Sequence, residues 1–277
     1  MKAIVSELNL YPIKGCRGLS VRSAALPVTG LELDGIGDRE WVVVDADGEF
    51  LSQRAYPRLA LVETRFVGGT LRLRAPGMLA LEVPFACEGD VVDVRVWDDK
   101  VAAVTQGDIA DAWFSSFLGA PARLVRFDPE GRRIADHKHT GQLEAPYKFA
   151  DAFPLLLTAQ ASLAEVNARL VQRNESPVTM ARFRPNIVLD GLPAFEEDYI
   201  KELRRGDLVV HPVKPCARCT VPGVDPATGA ASTTVPDLLA SFRGTQDGVM
   251  FGVNAIVVEG PGATLTVGDE FDVELRL

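Results

Sequence analysis

The chain has 277 residues, 47% hydrophobic and 24% charged, enough for one large domain or two ordinary ones that each bury a core. A net charge of -9 excludes a broad nucleic-acid footprint, which needs a clustered surplus of Lys and Arg, so any anion bound here must be met by a local basic pocket. No apolar run reaches bilayer-spanning length, the N-terminus carries no signal or transit pattern, and four cysteines are too few for a disulfide framework, so a soluble, cytoplasmic protein is expected.

Short alternating or β-branched runs fill the first part of the chain: Ile4 to Tyr11, Trp41 to Val44, Leu59 to Val67, Thr70 to Arg74 and Val91 to Trp97. Asp45-Ala46-Asp47-Gly48 and Gly68-Gly69 read as hairpin loops, because Gly reaches positive φ cheaply and Asp bonds its own backbone. From Asp108 to Leu118 the period becomes helical, with Ile109, Ala112, Trp113, Ser116 and Phe117 on one side. Asp128 to Tyr147 is polar and aperiodic and reads as a mobile loop or lid. A second helix is predicted from Ala161 to Gln172 on Leu163, Val166 and Leu170, with Ser162 or Thr158 as cap. Strand patterns return at Ile187 to Leu189, Leu208 to Val213, Val253 to Val258 and Phe271 to Leu275, with a short helix at Val235 to Phe242. The fold class is therefore mainly β (α+β): two β-rich modules, at least one a barrel, with no βαβ alternation to support a doubly wound sheet.

The candidate chemistry centres on Cys216 and Cys219 in Lys-Pro-Cys-Ala-Arg-Cys. A structural zinc site would need two more ligands; Cys16 and Cys87 are far apart, and the three histidines supply no second close pair. A thioredoxin-like motif would need a helix N-terminus after the first Cys, whereas the flanks here are strand and Pro-rich turn. Simple packing of the thiols is the bland alternative. Arg218 between them favours thiolate, a soft ligand for a thiophilic metal. A basic set, Lys14, Arg39, Arg54, Arg58, Arg182 and Arg184, lies beside Gly, Pro and turn residues and suggests an anion pocket, although each alone reads as a solvated side chain. Among the carboxylates only Asp225, at a Pro turn just beyond Cys219, reads as near the chemistry. His137 and His139 read as solvated, and His211 as a packed or edge histidine.

Taken in order, the separated pieces resemble the MOSC family, in the two-module branch that includes the amidoxime reducing components. They are Leu-Tyr-Pro-Ile-Lys (Leu10 to Lys14), Asp38-Arg39 with Trp41, Gln53-Arg54 with Pro57-Arg58-Leu59, and Leu124 to Phe127. Ala161-Ser162-Leu163, Phe183 to Val188, Cys216 to Cys219, Val224-Asp225-Pro226 with Thr228-Gly229, Phe251-Gly252 and Val267-Gly268-Asp269 follow. The resemblance implies a β-barrel-like N-terminal domain over residues 1–120, with roughly its first 40 residues able to pack on the second domain, and a MOSC domain over 121–277. It implies a molybdenum cofactor between them, with Cys219 as metal ligand and Cys216 as support. Lys14, Arg39, Arg184, Asn186 and Arg218 would hold the pterin and its phosphate, with Thr158 a weaker candidate.

The implied activity is a molybdenum-dependent oxidoreductase that reduces small N-hydroxylated substrates. Asp225 would orient water or donate a proton. The last strand pattern stops at Leu277 without a Cys-rich iron-sulfur tail, so electrons would come from a separate ferredoxin- or flavin-type reductase. The competing reading is a sulfur carrier or cofactor-handling protein with a Cys219 persulfide. Pyridoxal phosphate binding is attached to the family as a label, but no segment here has room for a pyridoxal-phosphate desulfurase domain. Two departures bear on the pocket: Thr220-Val221-Pro222-Gly223 replaces a pair of threonines before Val-Asp-Pro, and Gly15 stands where a Ser would add a hydroxyl.

Overall fold

The computed structural model describes residues 1–86 and 88–276, so Cys87 and Leu277 lie outside the described residues. Seven strands close a barrel: β1 (Lys2–Leu10), β2 (Leu155–Ala159), β3 (Ile187–Asp190), β4 (Ile200–Arg205), β5 (Leu208–Ala217), β6 (Gly248–Glu259) and β7 (Glu270–Leu275). Their order is β2-β3-β1-β7-β4-β5-β6, and a β2–β6 pairing completes the circle, which removes the open edges of a sheet. Six of the pairings are antiparallel and β2–β3 is parallel.

That parallel pair is joined by the helix Gln160–Gln172, a βαβ unit absent from the sequence reading. All five residues of β2 are buried, so Leu-Leu-Leu-Thr-Ala shows no alternation by which to recognise it. In β1 the inward positions run Ala3, Val5, then Leu8 and Leu10. The parity slips at a bulge between Val5 and Glu7, which keeps the apolar side chains in the core.

Between β1 and β2 the chain builds the first module. One antiparallel sheet pairs Val91–Val96, Asp99–Thr105, Arg123–Phe127 and Trp41–Val44; a second pairs Glu63–Val67, Thr70–Arg74 and Leu81–Pro84. The helix Asp108–Leu118 packs Ala110, Trp113, Phe114 and Phe117 onto Ile13, Trp41 and Leu59. Ile109, expected on the buried side, is 77% exposed, because the bulky stripe at 110, 113, 114 and 117 takes the core face.

Three other local expectations are corrected. Neither Ser162 nor Thr158 caps its helix; Ala159 is the N-cap residue, and buried Glu197 accepts from the Ala159 N–H at 3.2 Å and from Ser162 Oγ at 2.7 Å. Leu59 to Val67 is a 3₁₀ turn, Pro57–Leu61, followed by a strand. The 128–147 segment is fastened down: Arg133 is buried and donates to Lys148 O at 2.6 Å, Ala150 O at 3.1 Å and Asp99, while Ile134 bridges Pro146. Among the described residues no helix is long and apolar enough to cross a membrane.

Candidate cofactor site

A cavity of about 320 Å³ opens where the turn after β1, the Trp97 hairpin, the entry to β2, the turn before β3 and the end of β5 meet. Lys14, Arg39, Arg184, Asn186, Arg218 and Cys219 all line it. Gly15, in the same wall, sits at φ +84°, a conformation that would strain a serine and that explains the glycine there.

Arg39 and Arg184 form the cationic floor. Their guanidinium carbons lie 4.3 and 4.4 Å from the centroid of the Tyr11 ring, a shared cation–π platform. Arg39 donates to Asp38, to Asn186 Oδ1 at 3.2 Å and to Arg184 O at 3.2 Å; Arg184 donates to Cys16 O at 2.6 Å. Burial works against the charge on both. Asp38, Tyr11 and Asp151 together more than offset it for Arg39, whereas Arg184, with Arg39 beside it, stays below the ordinary guanidinium range. Positive charge is therefore in local excess, which favours an anionic occupant. Both arginines have positive φ, +49° and +56°. Of the six non-Gly residues in that region among the described residues, Arg39, Trp97 and Arg184 line this cavity, so backbone strain is concentrated at the site.

Asn186 is a bracket rather than a free ligand. Its Oδ1 accepts from Leu156 N at 3.1 Å as well as from Arg39, and its Nδ2 donates to Asn9 O at 3.3 Å. Lys14 is 7% exposed, and its Nζ donates to Phe149 O at 2.8 Å and Asp151 Oδ1 at 2.6 Å.

The thiols occupy different positions. Cys216 is half-buried on the last turn of β5, where bulges at Pro212/Lys214 and Pro215/Ala217 bend the strand toward the cavity. Cys219 follows in the turn before the 3₁₀ segment Val221–Gly223 and is exposed to the cavity. Arg218 donates to Cys216 Sγ at 3.2 Å and to Phe183 O at 2.9 Å, and its buried Nε has no partner. A buried donor left without an acceptor is a group that an accepting atom of a bound ligand could satisfy. Among the described residues no three His, Cys, Asp or Glu side chains converge as a metal-ligand set. A metal on Cys219 would thus draw its remaining ligands from a non-protein group.

Two sequence candidates are not brought to the cavity. Thr158 is fully buried, with its hydroxyl 3.4 Å from Met180 Sδ, because it lies on the face of β2 opposite Leu155, Leu157 and Ala159, which looks into the separate core beneath the helix. Asp225 does not line the cavity: it pairs with Arg182 at 3.3 Å and accepts from Ala227 N at 2.8 Å in an Asx turn. The lining also holds residues that sequence reasoning missed: Asp151, Trp97, Phe50, Lys214 and Asn254. Only Trp97 carried a signal, since a bulky aromatic stands at a tight hairpin turn between Val91–Val96 and Asp99–Thr105 where Asn-Gly is the usual choice.

This architecture, a closed barrel with an exposed cysteine facing a cationic cavity, coincides with two domain matches: the MOSC N-terminal beta barrel domain over residues 2–121 and the MOSC domain over residues 144–272. The chain belongs to the MOSC family. Among individual proteins it is 38% identical over 245 residues to mitochondrial amidoxime reducing component 2 of Bos taurus, covering 86% of this chain and 72% of that one. It is 34% identical over 279 residues to mitochondrial amidoxime-reducing component 1 of Homo sapiens, covering 96% and 81%. The crystal structure of the YUAD protein of Bacillus subtilis aligns over 100% of this chain and 98% of that one, with 9% identity and a TM-score of 0.45.

Proposed function

We propose that this protein binds the molybdenum cofactor and uses it to reduce small N-hydroxylated compounds with electrons from a separate electron-transfer protein of the ferredoxin or flavin-reductase type. The observation that carries the reading is the exposed Cys219 thiol in a cavity walled by Lys14, Arg39, Arg184 and Arg218. The relatives named for amidoxime reduction support the substrate class. No comparable support exists for the sulfur-carrier reading.

Cys219 would hold the metal, and the four cations with Asn186 behind them would hold the pterin and its phosphate. When bound, the cofactor supplies two-electron redox chemistry at the N–O bond. The overall reaction converts N–OH to N–H with two electrons and two protons and releases water. The chain's own part is to fix the anion on preformed donors, so that little reorganisation is needed. Asp225 is not in the cavity, and no proton-transfer role is assigned to it.

The test is the molybdenum and pterin content of protein made in a cofactor-competent host, followed by benzamidoxime reduction with a reduced viologen dye. Near-stoichiometric metal in the wild type, lost in Cys219→Ala, together with dye-dependent turnover, is the expected result. A wild type without metal or pterin would overturn the reading.

A further inference from the structure

We propose that Asp151, oriented by Trp97, is a positioning residue that fixes the Lys14 ammonium as an anion donor in the cavity; the identity of that anion as the cofactor rests on the reading above. An ammonium has three N–H groups. Lys14 spends two, on Phe149 O at 2.8 Å and Asp151 Oδ1 at 2.6 Å; the third has no hydrogen-bond acceptor among the described residues, and Nζ lies 5.3 Å from the centroid of Phe50, which lines the cavity with it.

The charged groups facing Lys14 are Asp151, Arg39 and Arg133. Burial first, and then the two arginines, work against the charge on Lys14, and it sits below the ordinary lysine range. Asp151 is the only one of the three that opposes this. The Lys14 ammonium, the Trp97 N–H and the Arg39 guanidinium hold the Asp151 carboxyl well below the usual carboxylate range. The Asp151 side chain is itself 74% exposed, so solvent weakens the pair at that end, and the effect is felt at the buried Lys14 end.

Trp97 gives the second, independent observation. Its Nε1 donates to the same Asp151 Oδ1 at 2.9 Å. It does so from a tight hairpin turn at φ +57°, a conformation in which a bulky residue is a genuine outlier. Phe50 packs edge-on to its ring at 4.7 Å, and Arg54 lies 4.6 Å from the ring centroid, so the indole is held from both its edge and its face. A turn that would be cheaper with Asn-Gly instead carries the one side chain able to reach Asp151 from this hairpin. The chain Trp97, Asp151, Lys14 thus links the first module to the entry of β2.

The experiment compares wild type, Asp151→Asn, Asp151→Glu and Trp97→Phe on two readouts. The first is molybdenum and pterin retained by the purified protein after dialysis across a rising pH series. The second is the titration of the Lys14 ¹³Cε resonance, assigned by its loss in Lys14→Arg. Asp151→Asn is expected to retain cofactor about tenfold more weakly, as befits loss of one charged partner, and to release it at lower pH than wild type, because Lys14 gives up its proton earlier. Trp97→Phe keeps the ring and loses the N–H, and should fall between; Asp151→Glu should recover part of the retention. Unchanged retention and an unchanged Lys14 titration in Asp151→Asn would overturn the proposal. A wild type without cofactor, but with the Lys14 titration moved down in Asp151→Asn, would sink the cofactor reading and leave the positioning role standing.

Discussion

Arg218 donates to the Cys216 sulfur at 3.2 Å, so the first cysteine of the pair holds a guanidinium that lines the same cavity as the second. Cys216→Ala removes that acceptor and leaves Arg218 anchored only by Phe183 O. We expect the pterin content to fall by about threefold to tenfold, the value of one ordinary hydrogen bond, with partial recovery in Cys216→Ser. Pterin fluorescence of the denatured protein reads this directly. A loss as complete as that of Cys219→Ala would mean that both sulfurs hold the metal.

Asn186→Ala should cost stability as well as binding. Three side-chain hydrogen bonds end on this residue, two of them with backbone groups of Leu156 and Asn9, and it is 1% exposed. Buried donors and acceptors left without partners cost about 1–3 kcal/mol each, so a loss of at least about 2 kcal/mol is expected in urea unfolding at unchanged m-value. A change below about 0.5 kcal/mol, the size of an ordinary surface substitution, would show that water replaces the bracket.

Stability should fall in alkali through two buried groups. Burial pushes the Cys16 thiol up from 9.0 to about 12, and the Tyr11 hydroxyl up from 10.0 to about 12. Both are neutral acids favoured in the folded state. Their contribution is complete below the unfolded values and is lost as pH rises toward 12. Each group removes about 1.4 kcal/mol per pH unit within its window. Cys16→Ala should flatten the decline that begins near pH 9, while Tyr11→Phe should act only from near pH 10. Urea midpoints across an alkaline series would separate the two, and equal slopes in wild type and Cys16→Ala would refute the assignment.

Thr158→Val is expected to leave cofactor content unchanged. The hydroxyl faces Met180 in the core, and losing its one hydrogen bond to the thioether should alter stability by no more than about 1.5 kcal/mol. Loss of pterin in this variant, with the fold intact, would return Thr158 to the site.

The residues of the site were more legible in the sequence than their arrangement. Cys219, Arg218, Lys14, Arg39, Arg184 and Asn186 stand in short unusual strings, where turn residues surround charged ones, and all six line one cavity. Asp151 was not legible: Ala-Asp-Ala has no turn, period or motif to mark it, and it meets Lys14 only through the fold, beside the buried Phe149 whose carbonyl accepts from the same ammonium. Asp225 misled because nearness in sequence to Cys219 is undone by the intervening 3₁₀ segment Val221–Gly223. In the fold, strands with one wet face were readable by alternation, as in Val91–Val96. β2, dry on both faces, was not.

β1 is hydrogen-bonded to β7 along Lys2–Asp272, Ala3–Phe271 and Ile4–Glu270. β1 therefore waits for a segment far later in the chain before that edge is covered. The first module can collapse around its own core while translation continues, but barrel closure is a contact of extreme sequence separation. Until then β1 is an unpaired apolar edge, the element most exposed to chaperone capture or to mispairing with a neighbouring nascent chain.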